Sequence, residues 1–497
     1  MAFYPAGRRP RASIHDPAVR SLRFGVLKAA AINFIILQIL FLGLFCYLFG
    51  SLFQETTHIH NLHVLFVDYD HGAIGNAIRT AYHELQSPGF PTLVEHPPSL
   101  YPSPASIRQS VCHIHYWGGL YISPNASSQL LSALTSPSTT TYDPNTTLTL
   151  IWNEARYPTI IDPSISTTMT LLSTTAQKAY LLANGASIFS TTSPNLTTTP
   201  PFLTTLTTPW TLTSQNIQPT PQGSRLIYNT LVIILILIQE FFYLGYLNTV
   251  YQQFHLYTAV SAHRIALIRL LISATYTFIG SLCTAATIHA FKHGWAITPG
   301  QFFLTWAVLW LFAHLNFLVL DVFTVWLPPP FVPMALISWI VLNVTSILLP
   351  FELQPGFFSW AWALPAHAVY GTLIDVWSGG CNTQLGAFLP ILFAYELLAG
   401  AGSVVGVYRR AHFAVLAVEG EKEKEKEKEK EKEKEKEKEK EKEKEKEGEG
   451  EGAGLERRTT AVTVGEESRE SIWREMSRVE TRSRRNTGPC LDLPFME

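Results

Sequence analysis

The sequence has few of the features that mark most soluble enzymes. Five cysteines in 497 residues exclude a disulfide-dense secreted scaffold, and no Cys-x-x-Cys pair indicates a structural zinc or redox site. The phosphate-binding loop Gly-x-x-x-x-Gly-Lys-Ser/Thr is absent, as are the Gly-x-Ser-x-Gly elbow and the His-Glu-x-x-His helix. The sequence therefore predicts neither an enzyme nor a bound cofactor.

Charge is scarce outside one segment near the C-terminus. Glu and Lys alternate without interruption from Glu421 to Lys446. The formal net charge of −2 gives no electrostatic footprint for nucleic acid. Since 47% of the residues are hydrophobic and 12% are aromatic despite this polar segment, the composition favours a membrane protein over a purely soluble one.

Long apolar runs predict six transmembrane helices. The first run, 29–53, carries no formal charge and exceeds the roughly 20 residues that cross the hydrocarbon core. The predicted fold class is thus a polytopic α-helical membrane protein, with a five-helix membrane domain in residues 227–408. The other five runs lie at 227–250, 269–291, 302–320, 331–351 and 386–408.

Basic residues predict the orientation of the chain. Arg409 and Arg410 follow the last span, and six basic residues lie in the predicted cytosolic segment 1–28. The positive-inside rule therefore predicts that both termini are cytosolic. The plasma membrane is the predicted location, with the endoplasmic reticulum as the alternative, and the lipid bilayer is the first predicted partner. The six N-terminal basic residues are Arg8, Arg9, Arg11, Arg20, Arg23 and Lys28.

This orientation makes residues 54–226 a domain on the exterior or luminal side. Asn125, Asn145 and Asn195 each begin an N-glycosylation triplet there. A fourth triplet, at Asn343, lies in a predicted span and is expected to be unused.

The exterior domain has the sequence pattern of a mixed α/β fold. Leu62–Val67 is a β-rich run that precedes a stretch with helical spacing up to Leu85. Residues 147–152 alternate as in a half-buried strand, and 166–182 fit a helix. The Pro- and Thr-rich residues 191–221 predict an extended return to the membrane.

Histidines are concentrated in this domain. His58 and His60 form one i, i+2 pair, and His113 and His115 form another, a spacing that places both rings on one face of a strand. They are weak candidates for a zinc or copper site, because no carboxylate or third ligand has a diagnostic spacing. Partly exposed polar positions are the alternative, and no metal is predicted.

The predicted topology leaves two cysteines in an oxidising compartment. They are Cys112 in the exterior domain and Cys381 before the last span, whereas Cys46 and Cys283 lie in spans and Cys490 is cytosolic. A disulfide between Cys112 and Cys381 is therefore a hypothesis.

Polar residues inside the spans are the candidate functional groups. Glu240, His314 and Glu396 lie within apolar runs, where a charge is costly and usually faces a bundle interior or a watery path. They form a candidate transport path, or alternatively they are protonated or bonded as structural contacts between helices. Arg269 and Asp321, near predicted span ends, are interpreted as snorkelling or helix-end residues.

Two further segments have a distinct composition. Residues 352–380 are broken by Pro and Gly and rich in Trp, which predicts a re-entrant or interfacial hairpin. Residues 409–497, including the repeat at 421–446, are predicted to be a disordered cytosolic tail. The repeat has no apolar face, and its favourable i, i+3 charge pairs are offset by like charges at i, i+4. It is therefore predicted to be a solvated spacer that is helical at most in part.

Four motifs together with the order of the spans resemble the fungal nitrosoguanidine-resistance membrane protein family, and more remotely the membrane domain of type-2 ABC exporters. The resemblance covers about residues 20–410 and implies a role in tolerance of drugs or alkylating agents, with no catalytic residues to carry over. The motifs are Val67-Asp-Tyr-Asp70-His-Gly72, Tyr116-Trp-Gly-Gly-Leu-Tyr-Ile-Ser-Pro-Asn125-Ala-Ser127, Trp152-Asn-Glu-Ala-Arg156 and Trp360-Ala-Trp-Ala-Leu-Pro365.

Two functions fit these observations. The first is a transporter-like or export-assisting protein for amphipathic small molecules or lipids, which the carboxylates within the spans favour. The alternative is a non-transporting organiser or sensor whose exterior domain binds a lipid, a wall component or a partner. A homo-oligomer or a partner membrane protein is compatible with either function.

Overall fold

The computed structural model describes Pro17 and residues 20–135, 142–220, 230–292 and 294–448. The predictions for the first cytosolic residues, for Cys490 and for the tail after residue 448 lie outside these ranges. The chain divides into two compact units. The first unit comprises residues 1–217 and 341–362, and the second comprises 218–340 and 363–497.

The first unit contains the helix α1 and a mixed α/β domain. α1 spans Arg20–Ser51 and is followed by a 3-10 helix at Glu55–Asn61. The strands are β1 His63–Asp68, β2 Thr92–His96, β3 Gly118–Ile122, β4 Leu148–Trp152 and β5 Leu212–Asn216. The helices of the domain are α2 Ala73–Leu85, α3 Pro104–Cys112, α4 Ala126–Thr135, α5 Pro158–Ile161, α6 Thr167–Thr191, α7 Pro194–Thr197 and α8 Pro200–Thr207.

The five strands form one sheet in the order β2-β1-β3-β4-β5. β1 is parallel to both β2 and β3, β4 is antiparallel to β3, and β5 is parallel to β4. β1, β3 and β4 are buried almost throughout, as expected for central strands covered by helices. A Cβ on Gly119 of β3 would lie 2.3 Å from Ile107 Cγ2 of α3, so only glycine permits this close approach.

The structure confirms the predicted strands near residues 62–67 and 147–152 and the helices that begin near residues 74 and 166. The prediction of an extended segment at 191–221 was wrong. This segment contains α7 and α8, each with a proline in its first turn, and the strand β5. Proline favours the start of a helix, and β5 gains its hydrogen bonds from β4, a partner distant in sequence.

The second unit is built from long apolar helices. It contains α9 Thr230–Gln253, α10 Leu256–Ala259, α11 Ala262–Phe291, α12 Pro299–Trp326, α14 Pro365–Trp377 and α15 Leu385–Gly448, whereas α13 Val332–Leu348 is divided between the two units. α12 is the central helix, because it packs against α9, α11, α14 and α15. Its first turn is closed by a capping box between Thr298 and Gln301.

Six helices in the described ranges are long and apolar enough to cross a membrane, which indicates a membrane protein. They agree in number and order with the six predicted spans, but most are longer. Residues 352–380 form a 3-10 helix at Gly356–Ala363 and then α14, and their re-entrant position stays a prediction. The six are Arg20–Ser51, Leu231–Gln253, Ala262–Phe291, Pro299–Trp326, Pro329–Leu348 and Leu385–Lys434.

The predicted disorder of the tail was wrong for residues 409–448, because α15 continues from the last span through the Glu-Lys repeat to Gly448. Glu and Lys are both good helix formers. A helix that extends an existing one avoids the cost of nucleation, so the repeat can continue α15 even though its i, i+3 and i, i+4 charge pairs nearly cancel.

Candidate functional site

Three polar side chains from three helices form a hydrogen-bonded chain in the second unit. His314 of α12 places Nδ1 2.5 Å from Glu396 Oε1 of α15, and its Nε2 lies 3.1 Å from Ser273 Oγ of α11. The Ser273 hydroxyl donates to the Leu270 carbonyl at 2.9 Å, so its oxygen is left to accept from the imidazole. The structure thus joins two of the three predicted path residues, His314 and Glu396, and adds Ser273.

This His314–Glu396–Ser273 chain is only partly enclosed. The side chains of His314 and Glu396 are 14% and 22% exposed, whereas Ser273 is 1% exposed. The second carboxylate oxygen of Glu396 is buried without a hydrogen-bond partner among the described residues. The chain therefore runs from the surface of the bundle towards its interior and keeps one free acceptor.

Glu240, the third predicted path residue, stands apart. It lies on α9, is 1% exposed, and its Oε2 has no hydrogen-bond partner within the described part of the chain. No hydrogen bond or ion pair of the described residues joins it to His314 or Glu396. A buried carboxylate of this kind is neutralised by a proton or by a bound cation, because an isolated charge there is very costly.

A second polar group, the Asp321 cluster, comprises Asp321 of α12, Arg269 of α11, Arg410 and Ser403 of α15, Asn248 of α9 and Thr324 of α12. The Asp321 carboxylate accepts from Arg269 Nη2 at 2.6 Å, Arg410 Nη1 at 3.2 Å and Ser403 Oγ at 2.6 Å. Arg269 also donates to Asn248 Oδ1 at 2.6 Å, and Arg410 donates to Thr324 Oγ1 at 2.5 Å.

The Asp321 cluster corrects the snorkelling interpretation. Asp321 is 0% exposed and Arg269 is 2% exposed, so neither side chain reaches water. Because α11 begins seven residues before Arg269, at Ala262, and α12 continues to Trp326, both residues lie within helices and not at their ends. The predicted spans were too short to show this, since helices commonly extend beyond the apolar core of the bilayer.

Close contact between α12 and α15 assembles this cluster. A Cβ on Gly402 would lie 2.8 Å from Val322 Cγ2, and one on Gly406 would lie 2.6 Å from Val325 Cγ2. The two glycines are spaced i, i+4, the small-residue pattern that lets membrane helices approach closely. This spacing is visible in the sequence and was the missed signal, since Ser403 beside it bonds to Asp321.

The two carboxylates of the motif Val67–Gly72, Asp68 and Asp70, form hydrogen bonds within the sheet domain. Asp68, at the end of β1, accepts from the backbone N–H groups of Asp70 and His71 and pairs with Arg79 at 2.9 Å. Asp70 accepts from the Ser127 backbone N–H at 3.0 Å and from the Ser127 hydroxyl. These bonds tie the β1–α2 loop to the start of α4, and they use both carboxylates structurally.

The motif from Trp152 to Arg156 is also buried. The Arg156 guanidinium lies 3.7 Å from the centroid of the Trp117 ring and donates to the Tyr116 carbonyl at 3.2 Å. Burial lowers the pKa of Arg156 to about 10, and the charge of Glu352 opposes this shift. Trp152 Nε1 donates to Ser214 Oγ at 2.7 Å, so the motif also fastens β5 to β4.

The strand interpretation of the histidine pairs was wrong. His58 and His60 lie on the 3-10 helix at Glu55–Asn61, while His113 and His115 follow α3. The Nδ1 atoms of His58 and His60 bond to the carbonyls of Leu353 and Thr57. Over the described ranges, no group of three or more His, Cys, Asp or Glu is arranged to hold a metal ion.

The structure gives the exposure of the candidate glycosylation residues and the bonding state of four cysteines. Asn125, Asn145 and Asn195 are exposed, whereas Asn343 of α13 is 0% exposed. Cys112 and Cys381 are each disulfide-bonded, and Cys46 and Cys283 are free. Glycosylation and the pairing of Cys112 with Cys381 stay predictions.

Comparison with known proteins gives a family without an established activity. The model of the family described as "Protein of unknown function (DUF3533)" matches residues 33–401. This range includes α1 from residue 33 onwards, the sheet domain and the membrane helices past Glu396, but neither Arg410 nor the Glu-Lys repeat. No solved structure matches the chain.

Proposed function

The chain belongs to the DUF3533 family, and on that premise we propose that it is a transporter-like or export-assisting membrane protein for amphipathic small molecules or lipids. The observation that carries the proposal is the His314–Glu396–Ser273 chain, which spans α11, α12 and α15. The resemblance to the nitrosoguanidine-resistance family adds tolerance of drugs or alkylating agents as the cellular outcome.

The chemistry of the His314–Glu396–Ser273 hydrogen-bonded chain suits coupling of transport to protons. The His314–Glu396 contact shares one proton between an imidazole and a carboxylate, so the pair is neutral as a whole. Gain of a second proton makes the pair cationic, and loss of the shared proton makes it anionic. Partly exposed titratable groups inside membrane helices are typical of proton relays and ion pathways. Glu240 supplies a second buried acceptor for a proton or for a cationic substrate.

Transport activity tests the proposal most directly. The full-length protein in sealed vesicles is given a proton gradient and a fluorescent amphipathic cation, and the uptake rate is measured. The double variant Glu240→Gln with Glu396→Gln keeps the shape of both side chains but cannot ionise. We expect at least a tenfold loss of uptake, and in cells a loss of drug tolerance at normal surface levels.

Glu423→Gln is the matched control, because Glu423 undergoes the same chemical change on an exposed part of α15. Uptake by this variant should equal that of the unaltered protein. Full uptake and tolerance in the double variant would contradict the proton path and favour the organiser or sensor function.

We place the sheet domain on the exterior or luminal side, with both termini in the cytosol of a cell whose plasma membrane holds the protein. Exposure of Asn125, Asn145 and Asn195 supports this orientation. Enzymatic removal of N-glycans should increase gel mobility, and joint replacement of the three residues by Gln should abolish the shift. Asn343→Gln is the control and should leave it unchanged. A persistent shift in the triple variant would require a different topology.

The same orientation favours a disulfide between Cys112 and Cys381. Thiol labelling of intact cells before and after reduction checks it, with two new thiols expected after reduction. Single Cys112→Ser and Cys381→Ser variants should each expose the other thiol without reduction. Both thiols free in the unreduced protein would contradict the bridge.

A further inference from the structure

The Asp321 cluster contains an excess of positive charge. Two guanidinium groups, Arg269 and Arg410, share the single Asp321 carboxylate. Among the residues that the structure describes, the other side chains that face them from the packed helices are neutral. These are Asn248 of α9, Tyr257 of α10 at 3.4 Å, Thr324 of α12 and Ser403 of α15, with the Tyr251 ring of α9 at 5.5 Å. An uncompensated charge at a buried position is costly unless a counter-charge is bound.

Arg269 also has an unused hydrogen-bond donor. Its Nη1 is buried and has no partner among the residues that the structure describes. The whole Arg269 residue is only 2% exposed, so water does not readily supply the missing acceptor. Buried guanidinium N–H groups are nearly always paired, so an orphaned one points to a missing acceptor. Arg410 is 11% exposed, which gives the cluster an approach from the surface of the helices.

The position of the cluster defines the kind of acceptor. Asn248 and Asp321 each lie five residues before the C-terminal residue of their helix, α9 and α12, and Arg410 follows Arg409 at the predicted cytosolic flank of the last span. Groups at this depth meet lipid headgroups, and the cytosolic leaflet is rich in anionic lipids. Guanidinium groups match the geometry of phosphate oxygens.

We propose that Arg269 and Arg410 of the Asp321 cluster bind the phosphate group of an anionic lipid headgroup. The phosphate accepts from Arg269 Nη1 and from Arg410 and balances the excess charge. The proposal goes beyond the transport function and does not depend on it. A free phosphate ion offers the same chemistry, so the experiment separates the two sources.

The adjacent Arg409 provides a matched control. Its Nη1 donates to the Val325 carbonyl at 2.7 Å, and its guanidinium lies 4.8 Å from the centroid of the Trp326 ring and 5.1 Å from that of Phe413. Arg409→Gln therefore removes the same charge at the same membrane depth without touching the Asp321 cluster. Arg410→Gln removes the excess charge and leaves Asp321 paired with Arg269.

The full-length protein is placed in nanodiscs of phosphatidylcholine alone, or of phosphatidylcholine with phosphatidic acid, and lipid binding is measured by native mass spectrometry together with the thermal unfolding midpoint. We expect the anionic lipid to bind and to raise the midpoint in the unaltered protein and in Arg409→Gln. In Arg410→Gln, we expect binding at least tenfold weaker and no rise. Inorganic phosphate added to phosphatidylcholine nanodiscs should give no comparable rise.

Three results would overturn the proposal. Equal losses in Arg409→Gln and Arg410→Gln would show general attraction to an anionic surface. A full rise with inorganic phosphate alone would make the free ion the ligand. Equal midpoints in phosphatidylcholine alone and in the mixture with phosphatidic acid would show that the protein does not bind an anionic headgroup in preference to a zwitterionic one. If Arg410→Gln does not fold, Arg410→Lys replaces it, with Arg409→Lys as the control. Lipid binding by Arg410→Lys that is as strong as that of the unaltered protein would then contradict recognition of the phosphate by the Arg410 guanidinium.

Discussion

Asp321 and Glu240 are two carboxylates buried to the same extent in membrane helices, at 0% and 1% exposure, yet their surroundings are opposite. Asp321 accepts from two arginines and a serine, whereas one oxygen of Glu240 has no partner among the described residues. Burial alone therefore does not indicate what a carboxylate does. The difference is whether neighbouring helices supply the counter-charge.

The Asp321 cluster stabilises the packing of four helices, because its members come from α9, α11, α12 and α15. Glu240 and the His314–Glu396–Ser273 chain are left with free acceptors, which a proton or a ligand can use. We interpret the Asp321 cluster as a structural contact that holds the four helices together. We interpret Glu240 and the His314–Glu396–Ser273 chain as the part of the membrane domain that changes charge during function.

The largest effect is expected from Asp321→Asn. Loss of this carboxylate leaves Arg269 and Arg410 buried without an anion, and breaking a buried pair in this way costs about 3–5 kcal/mol. Thermal unfolding of the purified protein in detergent should show a strongly lowered midpoint. Adding Arg269→Gln to Asp321→Asn should recover part of the loss. Additive losses in the double variant would mean that the two residues are not coupled.

Glu240→Gln should have the opposite result for stability. Glu240 has no ionic partner among the described residues, so the substitution breaks no ion pair and removes a group that is costly to ionise; the free energy of unfolding should therefore change by less than about 1 kcal/mol or should rise. The same unfolding assay, run beside Asp321→Asn, measures the contrast. A loss as large as that of Asp321→Asn would reveal an ionic partner of Glu240 and would abolish the distinction between the two regions.

Ser273→Ala tests the inner end of the His314–Glu396–Ser273 chain. Loss of one hydrogen bond should lower the free energy of unfolding by only about 0.5–1.5 kcal/mol, while the pH dependence of vesicle uptake should shift because His314 loses a neighbour. Thr275→Ala is the control, since Thr275 also bonds to its own helix but is not part of the chain. Unchanged pH dependence in Ser273→Ala would remove Ser273 from the path.

The smallest effect is expected from deletion of Glu421–Lys446. The side chains of residues 421–434 are exposed and need no buried partner, so the unfolding midpoint of the membrane domain and the uptake rate should both stay unchanged within error. Exposed substitutions typically alter stability by no more than about 0.5 kcal/mol. A marked loss of uptake would show that the extension of α15 takes part in transport.

Much of the local structure could be predicted from the sequence. The apolar runs identified six membrane helices, and the alternation at residues 147–152 identified β4. The predictions for the histidine pairs and for the Pro- and Thr-rich segment were wrong, because an i, i+2 spacing does not by itself identify a strand and because β5 forms only by pairing with β4. Glu240, His314 and Glu396 were identified as candidates because placing an ionisable side chain within a membrane span costs free energy. Ser273 was not identified, since a serine hydroxyl within a helix carries little such cost.

By itself, the sequence determined which segments are apolar enough to enter a membrane, because that property depends on the composition of each segment alone. Only the tertiary structure decided the partners of the polar groups within those segments. Arg269 and Asp321 meet although 52 residues separate them, and His314 meets Glu396 across 82 residues. Such contacts depend on the depth and rotation of each helix, which are set by close packing such as that of Gly402 and Gly406 against α12.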